Sequence, residues 1–334
     1  MILVTGGTGL VGAHLLHHLC FAGKKVVAIF RTKESQNNTK KIFQLYQNES
    51  LFKLIEWRNA DITDLPALEE AFEGITHVYH AAAMISFDSN SYAKMKKVNI
   101  EGTANIVNLS LQNNIQKLCY VSSIASLSPK AGQDFIDESC DWNPEEENSN
   151  YSITKYAGEM EVWRASQEGL KTVIVNPALI FGFGNWNVNT GKLLQQIKKG
   201  LVFYPGGSIG VVDVKDVVKA MQILMESDID NERFILSATH ISYKKLFNNL
   251  AQHLDAKKPF LKVNRSFTEI VWRINSFLHF ISGGYIKTFI EKYSSRASHK
   301  HSRYVGDKIK NSISFEYTPF DQTMKEVCLK LLQS

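Results

Sequence analysis

The chain has 334 residues, of which 44% are hydrophobic and 21% are charged, and its formal net charge is +5 at pH 7. A chain of this length and composition can bury a large core, and so modest a charge gives little support to a nucleic-acid partner, which requires a clustered basic face. The sequence has no run of about 18 apolar residues, no C-x-x-C pair and no metal-like spacing of histidines, so we expect no stable membrane insertion, no disulfide framework and no metal site.

The first element is a predicted strand, followed by a glycine-rich turn and a helix. Residues 1–5 are apolar and favour a strand, and the segment VTGGTGLVGAHLLHHL at residues 4–19 ends with apolar residues at helical spacing. Its four glycines, which match both G-x-G-x-x-G and G-x-x-G-x-x-G, are Gly6, Gly7, Gly9 and Gly12. A helix N-terminus without obstructing side chains offers free N–H groups and a partial positive charge, which suits a pyrophosphate. A plain tight turn between strand and helix is the alternative.

Strands and helices alternate through the first half of the chain. Further strands are predicted at residues 24–30, 52–58, 76–83, 117–123 and 171–177. The helices between them include one that Asp64 is placed to cap, one that ends near Leu111 and one from about Tyr151 to Gln167. Nearly continuous apolar strands separated by helices are typical of a parallel sheet that is covered on both faces. The sequence thus predicts an α/β fold with a Rossmann-type, doubly wound parallel sheet.

The pattern changes after Pro177. FGFGNWNVNTG is typical of an irregular loop, and IGVVDVKDVVKAMQILM (residues 209–225) predicts a strand and a helix that we expect to return to the main sheet. From about Ser242 the chain is mostly helical, and we expect this part to pack over the carboxyl edge of the sheet, where open α/β sheets bind ligands. The predicted division is a dinucleotide-binding Rossmann domain of residues 1–176 and 209–237, and a substrate-binding region of residues 177–208 and 238–334.

The segment YSITK offers a general acid. Tyr151 and Lys155 are four residues apart and therefore share one helix face. A neighbouring ammonium favours the phenolate, so we expect it to lower the pKa of the phenol from its usual value near 10. The same Y-x-x-x-K spacing occurs at Tyr92 with Lys96 and at Tyr304 with Lys308. Only Tyr151 lies on the helix that follows the fifth strand, whose end carries a serine pair.

Eight motifs in this order and spacing carry a family resemblance: TGGTGLVG, DIT, HAAA, VNIEGT, YVSSIAS, YSITK, NPALIFG and VVDVKDV. Over residues 1 to about 237 the chain resembles the extended short-chain dehydrogenase/reductases, the family of NAD-dependent epimerase/dehydratase enzymes. Within it, the chain is most similar to the dihydroflavonol reductase and 3β-hydroxysteroid dehydrogenase branch and to the hopanoid-associated epimerase-like proteins. The resemblance implies an NAD(P)-dependent oxidoreductase.

The resemblance also implies roles for individual residues. Ser123 would hydrogen-bond the substrate oxygen, Tyr151 would be the acid/base, and Lys155 would hold the nicotinamide ribose and act on Tyr151. Gly6, Gly9 and Gly12 would face the pyrophosphate. The full set of expected cofactor-binding positions is Gly6, Thr8, Gly9, Leu10, Val11, Gly12, Arg31, Asp61, Ile62, Ala81, Ala82, Ala83, Asn99, Val121, Tyr151, Lys155 and Pro177. For Asn99 the alternative is a structural side chain that joins two backbone segments.

The end of the second strand indicates which cofactor is used. An acidic residue there would bind the ribose 2′-hydroxyl of NAD, whereas a basic residue accommodates the 2′-phosphate of NADP. This chain has Arg31 and Lys33, with no acid before Glu34. We therefore expect NADP, with NAD as the alternative.

Departures from related patterns narrow the reaction. Sugar-nucleotide dehydratases of the family carry an Asp-Glu pair just after the serine region, where this chain reads SSIASLS, so dehydration is not expected. Epimerases of nucleotide sugars usually carry an arginine where this chain reads PGGSIGVVDV, and arginine suits a diphosphate because its donors form a fixed fork. The usual proline before the tyrosine is also missing from NSNYSITK. Because Arg265 or Arg273 could reach the site, epimerisation stays open.

The segments that follow the fourth and sixth strands supply apolar side chains to the expected pocket, namely Met84, Phe87, Phe183 and Trp186. Apolar walls with few polar groups suit a hydrophobic carbonyl compound, although the same side chains could belong to the core. The favoured function is reduction of a ketone or aldehyde on a largely apolar small molecule, with hydride from NADPH and a proton from Tyr151. One alternative is a sugar or nucleotide-sugar epimerase, and another is a cofactor-binding regulatory protein without turnover.

The remaining expectations concern location and partners. The first strand begins at Met1, which leaves no room for a signal peptide, and we expect a cytoplasmic protein. The apolar stretch EIVWRINSFLHFISGGYIKTFIEKY (residues 269–293) suits a lid or a dimer face better than a membrane-surface helix, so a homodimer stays open. The wider stretch 265–310 is basic, which suggests an exposed face or attraction to an acidic ligand.

Overall fold

The structure is a computed structural model that describes residues 1–86, 88–270, 273 and 298–333. Its strands are β1 (Ile2–Thr5), β2 (Val26–Phe30), β3 (Ile55–Asn59), β4 (His77–His80), β5 (Lys117–Val121), β6 (Phe135–Ile136), β7 (Thr172–Pro177), β8 (Leu179–Phe181), β9 (Phe203–Pro205), β10 (Ser208–Asp213), β11 (Glu232–Leu236), β12 (Thr239–Ser242), β13 (Leu261–Val263) and β14 (Arg303–Tyr304). The α-helices of the described residues include α1 (Leu10–Phe21), α2 (Lys33–Leu45), α3 (Leu65–Ala71), α4 (Tyr92–Lys96), α5 (Gly102–Gln112), α6 (Asn150–Gln167), α7 (Asn189–Lys198), α8 (Val214–Glu226), α9 (Tyr243–His253), α10 (Lys308–Ser312) and α11 (Phe320–Leu332).

Seven parallel strands form the central sheet, in the order β11-β7-β5-β4-β1-β2-β3. β1 lies between β2 and β4, with Leu3 beside Val27 on one side and beside Val78 on the other. The chain order of the strands therefore reverses at β1, and an open α/β sheet has its ligand crevice at such a point, beyond the carboxyl ends of the strands. The predicted α/β class with a doubly wound, Rossmann-type sheet is confirmed.

Helices cover both faces of this sheet and bury two separate apolar cores. On one face, residues of α1 and α8 such as Leu15, Leu16 and Met221 are fully buried against the strands. On the other face, α3, α5 and α6 contribute residues such as Ile106 and Val162. Burial of each such side chain stabilises the fold by roughly 1.5–3 kcal/mol, which explains why strands between two helix layers are apolar at nearly every position.

The strand predicted to return to the main sheet after Pro177 does not do so. β10 pairs parallel with β8 and antiparallel with β12, and these three strands form a separate sheet. The strand that returns is β11, which lies parallel to β7 at the edge of the central sheet. Both β10 and β11 are short and apolar, so local pattern alone could not decide which one pairs with β7.

The second sheet and its helices form a smaller unit around a third core. This core joins α7, α9 and α11 through residues such as Leu194, Leu250 and Val327. Asp213 connects the unit to α8, because its carboxylate accepts from the backbone N–H of Lys215 at 2.7 Å and from the hydroxyl of Thr323 at 2.8 Å. Among the described helices, none combines the length and the apolar character that a membrane crossing requires.

Several local predictions differ from the structure, among them the strand predicted at residues 52–58, whose first three residues belong to a 3₁₀ helix, Glu49–Leu54. Asp64 precedes α3, but its side chain makes no capping hydrogen bond; instead the Asp61 carboxylate accepts from the backbone N–H and the hydroxyl of Thr63. The helix predicted to end near Leu111 is divided into α4 and α5 by one π-helical turn at Lys97–Glu101. The apolar stretch 269–293 lies outside the described residues except at positions 269, 270 and 273.

Candidate active site

The glycine turn joins β1 to α1 by close backbone packing. Gly6 has a φ of +70°, and a Cβ at this position would lie 2.6 Å from the backbone of Ala81 and Ala82. A Cβ at Gly12 would lie 2.2 Å from the Gly6 carbonyl oxygen, so any side chain there would force α1 away from the turn. Gly9 is the N-cap of α1, whose first turn carries no acidic residue. The helix N-terminus therefore meets the crevice without an obstructing side chain or negative charge.

A cavity of about 520 Å³ lies beside this turn. Ten of the expected cofactor-binding residues line it: Gly6, Thr8, Gly9, Leu10, Arg31, Asp61, Ile62, Ala81, Ala82 and Ala83. Further lining residues include Ser35 and Asn38 from α2, Met84 and Val98 near α4, and the segment at 188–191 that begins α7. The cavity therefore runs from the end of β2, across the glycine turn, to the loop that follows β8.

Other expected cofactor positions lie outside this lining. Gly12 packs against the turn, and Val11 packs against the core of its sheet face. Val121 ends β5 and Pro177 ends β7, where Pro177 is buried. Asn99, Tyr151 and Lys155 also lie outside the lining of this cavity.

Arg31 lies at the end of β2, on the cavity wall. Its guanidinium is 3.9 Å from the carboxylate of Asp61, and about two thirds of the Arg31 side chain is exposed. A pair this exposed and this long contributes little to stability, so the guanidinium is free to meet an anion in the cavity. Ser35 and Asn38 line the same end and add polar groups.

Asn99 lies on the π-helical turn and is almost fully buried. Its amide oxygen accepts from the backbone N–H of Met84 at 2.7 Å, and its amide nitrogen donates to the Met84 carbonyl at 2.9 Å and to the Thr154 hydroxyl at 3.0 Å. This side chain joins the segment after β4 to α6, which is the structural alternative given above for Asn99. It fixes the cavity wall relative to the helix that carries Tyr151.

Ser123 and Tyr151 come together at the carboxyl end of β5. Ser123 is the second residue after β5, its hydroxyl accepts from the backbone N–H of Ala125 at 3.1 Å, and its side chain lies close enough to the Tyr151 phenol to act on its pKa. Burial raises the pKa of the Tyr151 phenol, while the nearby Ser123 side chain lowers it, and burial is the larger effect. The lowered Tyr151 pKa expected from the sequence is therefore wrong for this structure, because burial outweighs the groups that favour the phenolate.

Lys155 lies one helical turn beyond Tyr151 and is 1% exposed. Its ammonium donates to the phenol oxygen of Tyr120 and to the carbonyl of Val121, both at 2.8 Å, and lies 4.3 Å from the centre of the Tyr120 ring. Burial lowers the pKa of Lys155 to about 7, and the negative charge of Glu159 opposes this shift. A phenol, a hydroxyl and a lysine whose pKa lies near neutral pH are thus grouped at one strand end. Such an arrangement can give a proton to a substrate oxygen.

Beneath these groups lies a buried layer that was not predicted from the sequence. His80 stacks on Tyr120, and its two ring nitrogens lie 2.6 Å from the Thr5 hydroxyl and 3.0 Å from the Thr103 hydroxyl. Burial, together with the charge of Lys155, lowers the pKa of His80 to about 3, so the imidazole is neutral at physiological pH. The position of His80 at the end of a strand was the only sequence signal for this role.

A second missed group surrounds Glu159, a fully buried acid on α6. Its carboxylate accepts hydrogen bonds from side chains on three other segments, those of Ser122, Ser126, Asn176 and Arg233. The signal in the sequence was an acid four residues after Lys155, on the same helix face.

The apolar side chains expected to border the pocket have different outcomes. Met84 lines the cavity. Phe183 is buried and packs edge to face against His14 and Tyr46, so it belongs to the core, and Trp186 packs partly against the same cluster. Phe87 lies outside the described residues.

Comparison with known proteins identifies the family. The NAD dependent epimerase/dehydratase family model matches residues 2–236. A putative dihydroflavonol 4-reductase from Synechocystis is 28% identical over 256 residues, which cover 74% of this chain and 71% of that protein. Anthocyanidin reductase from Arabidopsis thaliana is 29% identical over 272 residues, which cover 75% of this chain and 79% of that protein.

Solved structures share the fold across the whole chain. The crystal structure of gox2253 has a TM-score of 0.81 at 24% identity, covering 100% of this chain and 98% of that one. UDP-glucose 4-epimerase from Thermotoga maritima, solved with UDP-glucose, has a TM-score of 0.77 at 20% identity, covering 99% and 98%. The chain therefore belongs to the NAD-dependent epimerase/dehydratase family, and it is an NAD(P)-dependent oxidoreductase of the extended short-chain dehydrogenase/reductase type.

Proposed function

We propose that this protein reduces a ketone or aldehyde on a largely apolar small molecule, with NADPH as the reductant and Tyr151 as the general acid. The observation that carries the proposal is the closeness of the Ser123 hydroxyl to the Tyr151 phenol, with the buried ammonium of Lys155 one helical turn away. These groups lie at the end of β5, next to the strand whose following residues, Ala81–Ala83, line the cavity.

The residues of the cavity fit a dinucleotide. Gly6 and Gly12 have no room for a Cβ, so the backbone of the turn approaches the crevice closely and its N–H groups can face a pyrophosphate. Arg31, Ser35 and Asn38 supply a cation and two polar side chains at the far end of the same cavity, which supports a 2′-phosphate and therefore NADP.

The chemistry of the step is a two-electron reduction. When bound, the reduced nicotinamide supplies the hydride that forms the new C–H bond at the carbonyl carbon. The phenol O–H of Tyr151 protonates the carbonyl oxygen, and the hydroxyl of Ser123 donates a hydrogen bond to that oxygen. The ammonium of Lys155 stabilises the negative charge left on the phenolate, which favours the transfer. The phenol is then reprotonated from solvent.

One feature of the sequence supports an apolar carbonyl substrate over a nucleotide sugar. The segment 205–214 carries no arginine to hold a diphosphate. The names of the relatives point the same way, because they include anthocyanidin reductase, cinnamoyl-CoA reductase and a putative dihydroflavonol 4-reductase. Each acts on a small organic molecule by name.

Epimerisation of a nucleotide sugar is the second candidate, because the fold matches that of UDP-glucose 4-epimerase solved with UDP-glucose. The same hydride and proton groups would serve it. A cofactor-binding regulator without turnover is the third candidate, and the buried phenol, hydroxyl and ammonium argue against it because a sensor does not need a proton donor.

The experiment follows NADPH oxidation by the purified protein with apolar ketones and aldehydes, and sugar-nucleotide epimerisation by product analysis. We expect NADPH-dependent reduction of at least one carbonyl compound and no epimerisation. Epimerisation without any reduction would reverse the order of the two candidates, and NADPH binding without either activity would favour the regulator.

The proposal includes a cytoplasmic location and a small carbonyl compound as the partner. All four cysteines, namely Cys20, Cys119, Cys140 and Cys328, are buried with free thiols, which suits a reducing compartment.

A further inference from the structure

We propose that Glu159 is a positioning residue, whose buried carboxylate fixes the turn that carries Ser123 and keeps a negative charge one helical turn beyond Lys155. The inference rests on the proposed function, in which Ser123 and Lys155 act on the substrate and the cofactor. Glu159 touches neither, so its effect passes through these two residues.

Both oxygens of the Glu159 carboxylate are occupied by donors. One oxygen lies 2.5 Å from the Ser122 hydroxyl, 2.9 Å from the Ser126 hydroxyl and 2.9 Å from the Asn176 amide nitrogen. The other accepts from the indole of Trp163 and the guanidinium of Arg233, each at 3.3 Å. Glu159 thus joins α6 to the serine turn, to the end of β7 and to β11.

The same partners hold the main chain of Ser123. The Ser126 hydroxyl lies 2.8 Å from the Ser123 carbonyl oxygen, and the Asn176 amide nitrogen lies 3.2 Å from it. A hydroxyl has one proton, so Ser126 donates either to Glu159 or to the Ser123 carbonyl, whereas the two protons of the Asn176 amide can go to both. The carboxylate therefore fixes Asn176, which in turn holds the Ser123 carbonyl.

Glu159 also acts on Lys155 by charge. The two residues are four apart on α6, and the carboxylate opposes the lowering of the Lys155 pKa by burial. The other titratable groups that face Lys155 are Tyr120, which accepts its hydrogen bond, and His80, which is neutral. Tyr151 lies near Tyr120 in the same cluster and is neutral because burial raises its pKa. Glu159 is thus the negative charge in this group.

An amide could not replace the carboxylate. In Glu159→Gln, an NH₂ group replaces one of the two carboxylate oxygens, and this group donates hydrogen bonds but cannot accept them. It would face either the donors of the serines and Asn176 or those of Trp163 and Arg233. Arg233 would also lose its buried counter-charge, although it still donates to the carbonyls of Glu138 and Cys140. Substitution should therefore disturb the Ser123 turn and lower the Lys155 pKa together.

The first test needs no substrate. The titration of Lys155 is followed by ¹³C NMR of selectively labelled lysine, and the signal is assigned with Lys155→Arg. We expect the pKa of Lys155 to be at least about one unit lower in Glu159→Gln than in the wild type. Titrations that coincide within about 0.3 units in a folded variant would overturn the role of the charge.

The second test addresses the turn and does not require Glu159→Gln to fold. Ser126→Ala removes the hydroxyl next to the Ser123 carbonyl, and Ser128→Ala is the matched control because Ser128 is buried nearby but accepts only from the backbone N–H of Asn143. We expect kcat for carbonyl reduction to fall at least about tenfold in Ser126→Ala, with KM for NADPH unchanged, and to stay the same in Ser128→Ala. Equal kcat values in the two variants would overturn the positioning role.

The two tests separate this inference from the proposed function. If the wild type reduces no carbonyl compound, the proposed function fails, and the NMR titration still decides whether Glu159 controls Lys155. If turnover is present but neither variant changes it or the titration, only the role of Glu159 fails.

Discussion

Lys155 is a buried cation whose charge changes near neutral pH. Its ammonium is held by the Tyr120 phenol and the Val121 carbonyl, and burial lowers its pKa to about 7. The usual pKa of a lysine side chain is near 10.5. Because the lowered pKa lies close to physiological pH, small changes in the surroundings of Lys155 decide whether it is charged. The charge that supports a phenolate at Tyr151 is therefore sensitive to pH.

The pH profile should report this group. The ammonium form exists below the pKa, so kcat/KM for NADPH should be constant at lower pH and fall with rising pH above about 7, about tenfold per unit. The measurement is the pH dependence of kcat/KM at saturating carbonyl substrate. Lys155→Arg, whose side chain stays charged, should be less active, but its kcat/KM should not fall with rising pH. A wild-type profile that stays flat between about pH 6 and pH 9 would contradict a role for the ammonium.

Arg31 should decide the choice between the two nicotinamide cofactors. Arg31→Asp places a carboxylate where a 2′-phosphate would lie and should weaken NADPH binding at least about a hundredfold, while NADH binding changes less than about threefold. Fluorescence titration with each cofactor measures both constants. Lys33→Asp is the matched control, because Lys33 begins α2 and is not among the cavity-lining residues. Equal losses for both cofactors in Arg31→Asp would remove the assignment.

At the scale of an element, the β1–α1 unit depends on close backbone contact. Gly12→Ala would bring a Cβ to 2.2 Å from the Gly6 carbonyl oxygen, so α1 must shift away from the turn. We expect NADPH binding to weaken at least about tenfold, because the helix N-terminus moves relative to the phosphate position.

Gly23→Ala is the control for this prediction, since Gly23 follows the other end of α1 and a Cβ there meets nothing within 4 Å. Its φ of +70° makes the substitution cost roughly 1 kcal/mol of stability without moving the turn. Cofactor binding that is unchanged in Gly12→Ala would mean that α1 does not form the phosphate site.

Local patterns predicted most elements of the central sheet, since most of its strands are short apolar runs and each helix has its own periodicity. α6 could be predicted within one residue, and the order of elements distinguished Tyr151 from the two other tyrosines with the same spacing. The pairing of β10 with β8 and β12 could not be predicted, because it depends on residues far apart in the chain.

Only the part of the candidate site that stands in sequence motifs could be predicted, and the buried residues beneath it could not. The glycines, Ser123 and Tyr151 stand in recognisable motifs, whereas the contact between Glu159 and Arg233 joins residues 74 positions apart. The raised pKa of Tyr151 could not be predicted either, because its main cause is burial, which the sequence does not reveal.

Over the whole molecule, buried neutral histidines join distant segments. The ring of His14 on α1 bonds the Phe183 carbonyl at 2.8 Å and the Tyr46 hydroxyl at 2.7 Å, and His80 joins Thr5 to Thr103. Burial lowers the pKa of both histidines to about 3, from 6.5. The folded state therefore binds fewer protons than the unfolded chain between these values, and stability falls as pH falls.

This linkage predicts acid sensitivity. Between about pH 6.5 and pH 5, each of these histidines should remove about 2 kcal/mol from the free energy of unfolding. Urea unfolding at the two pH values measures the loss, and His14→Gln should lose about 2 kcal/mol less than the wild type over the same interval. An equal loss in the variant would show that His14 does not carry the effect.

The central claim is that Tyr151 protonates the substrate next to a bound NADPH. The most direct test is single-turnover oxidation of NADPH at 340 nm in wild type and Tyr151→Phe, with the NADPH dissociation constant measured on the same samples and Tyr92→Phe as the control. We expect a rate at least about a hundredfold lower in Tyr151→Phe, unchanged NADPH affinity, and a wild-type rate in Tyr92→Phe. Equal rates in Tyr151→Phe and the wild type would contradict it.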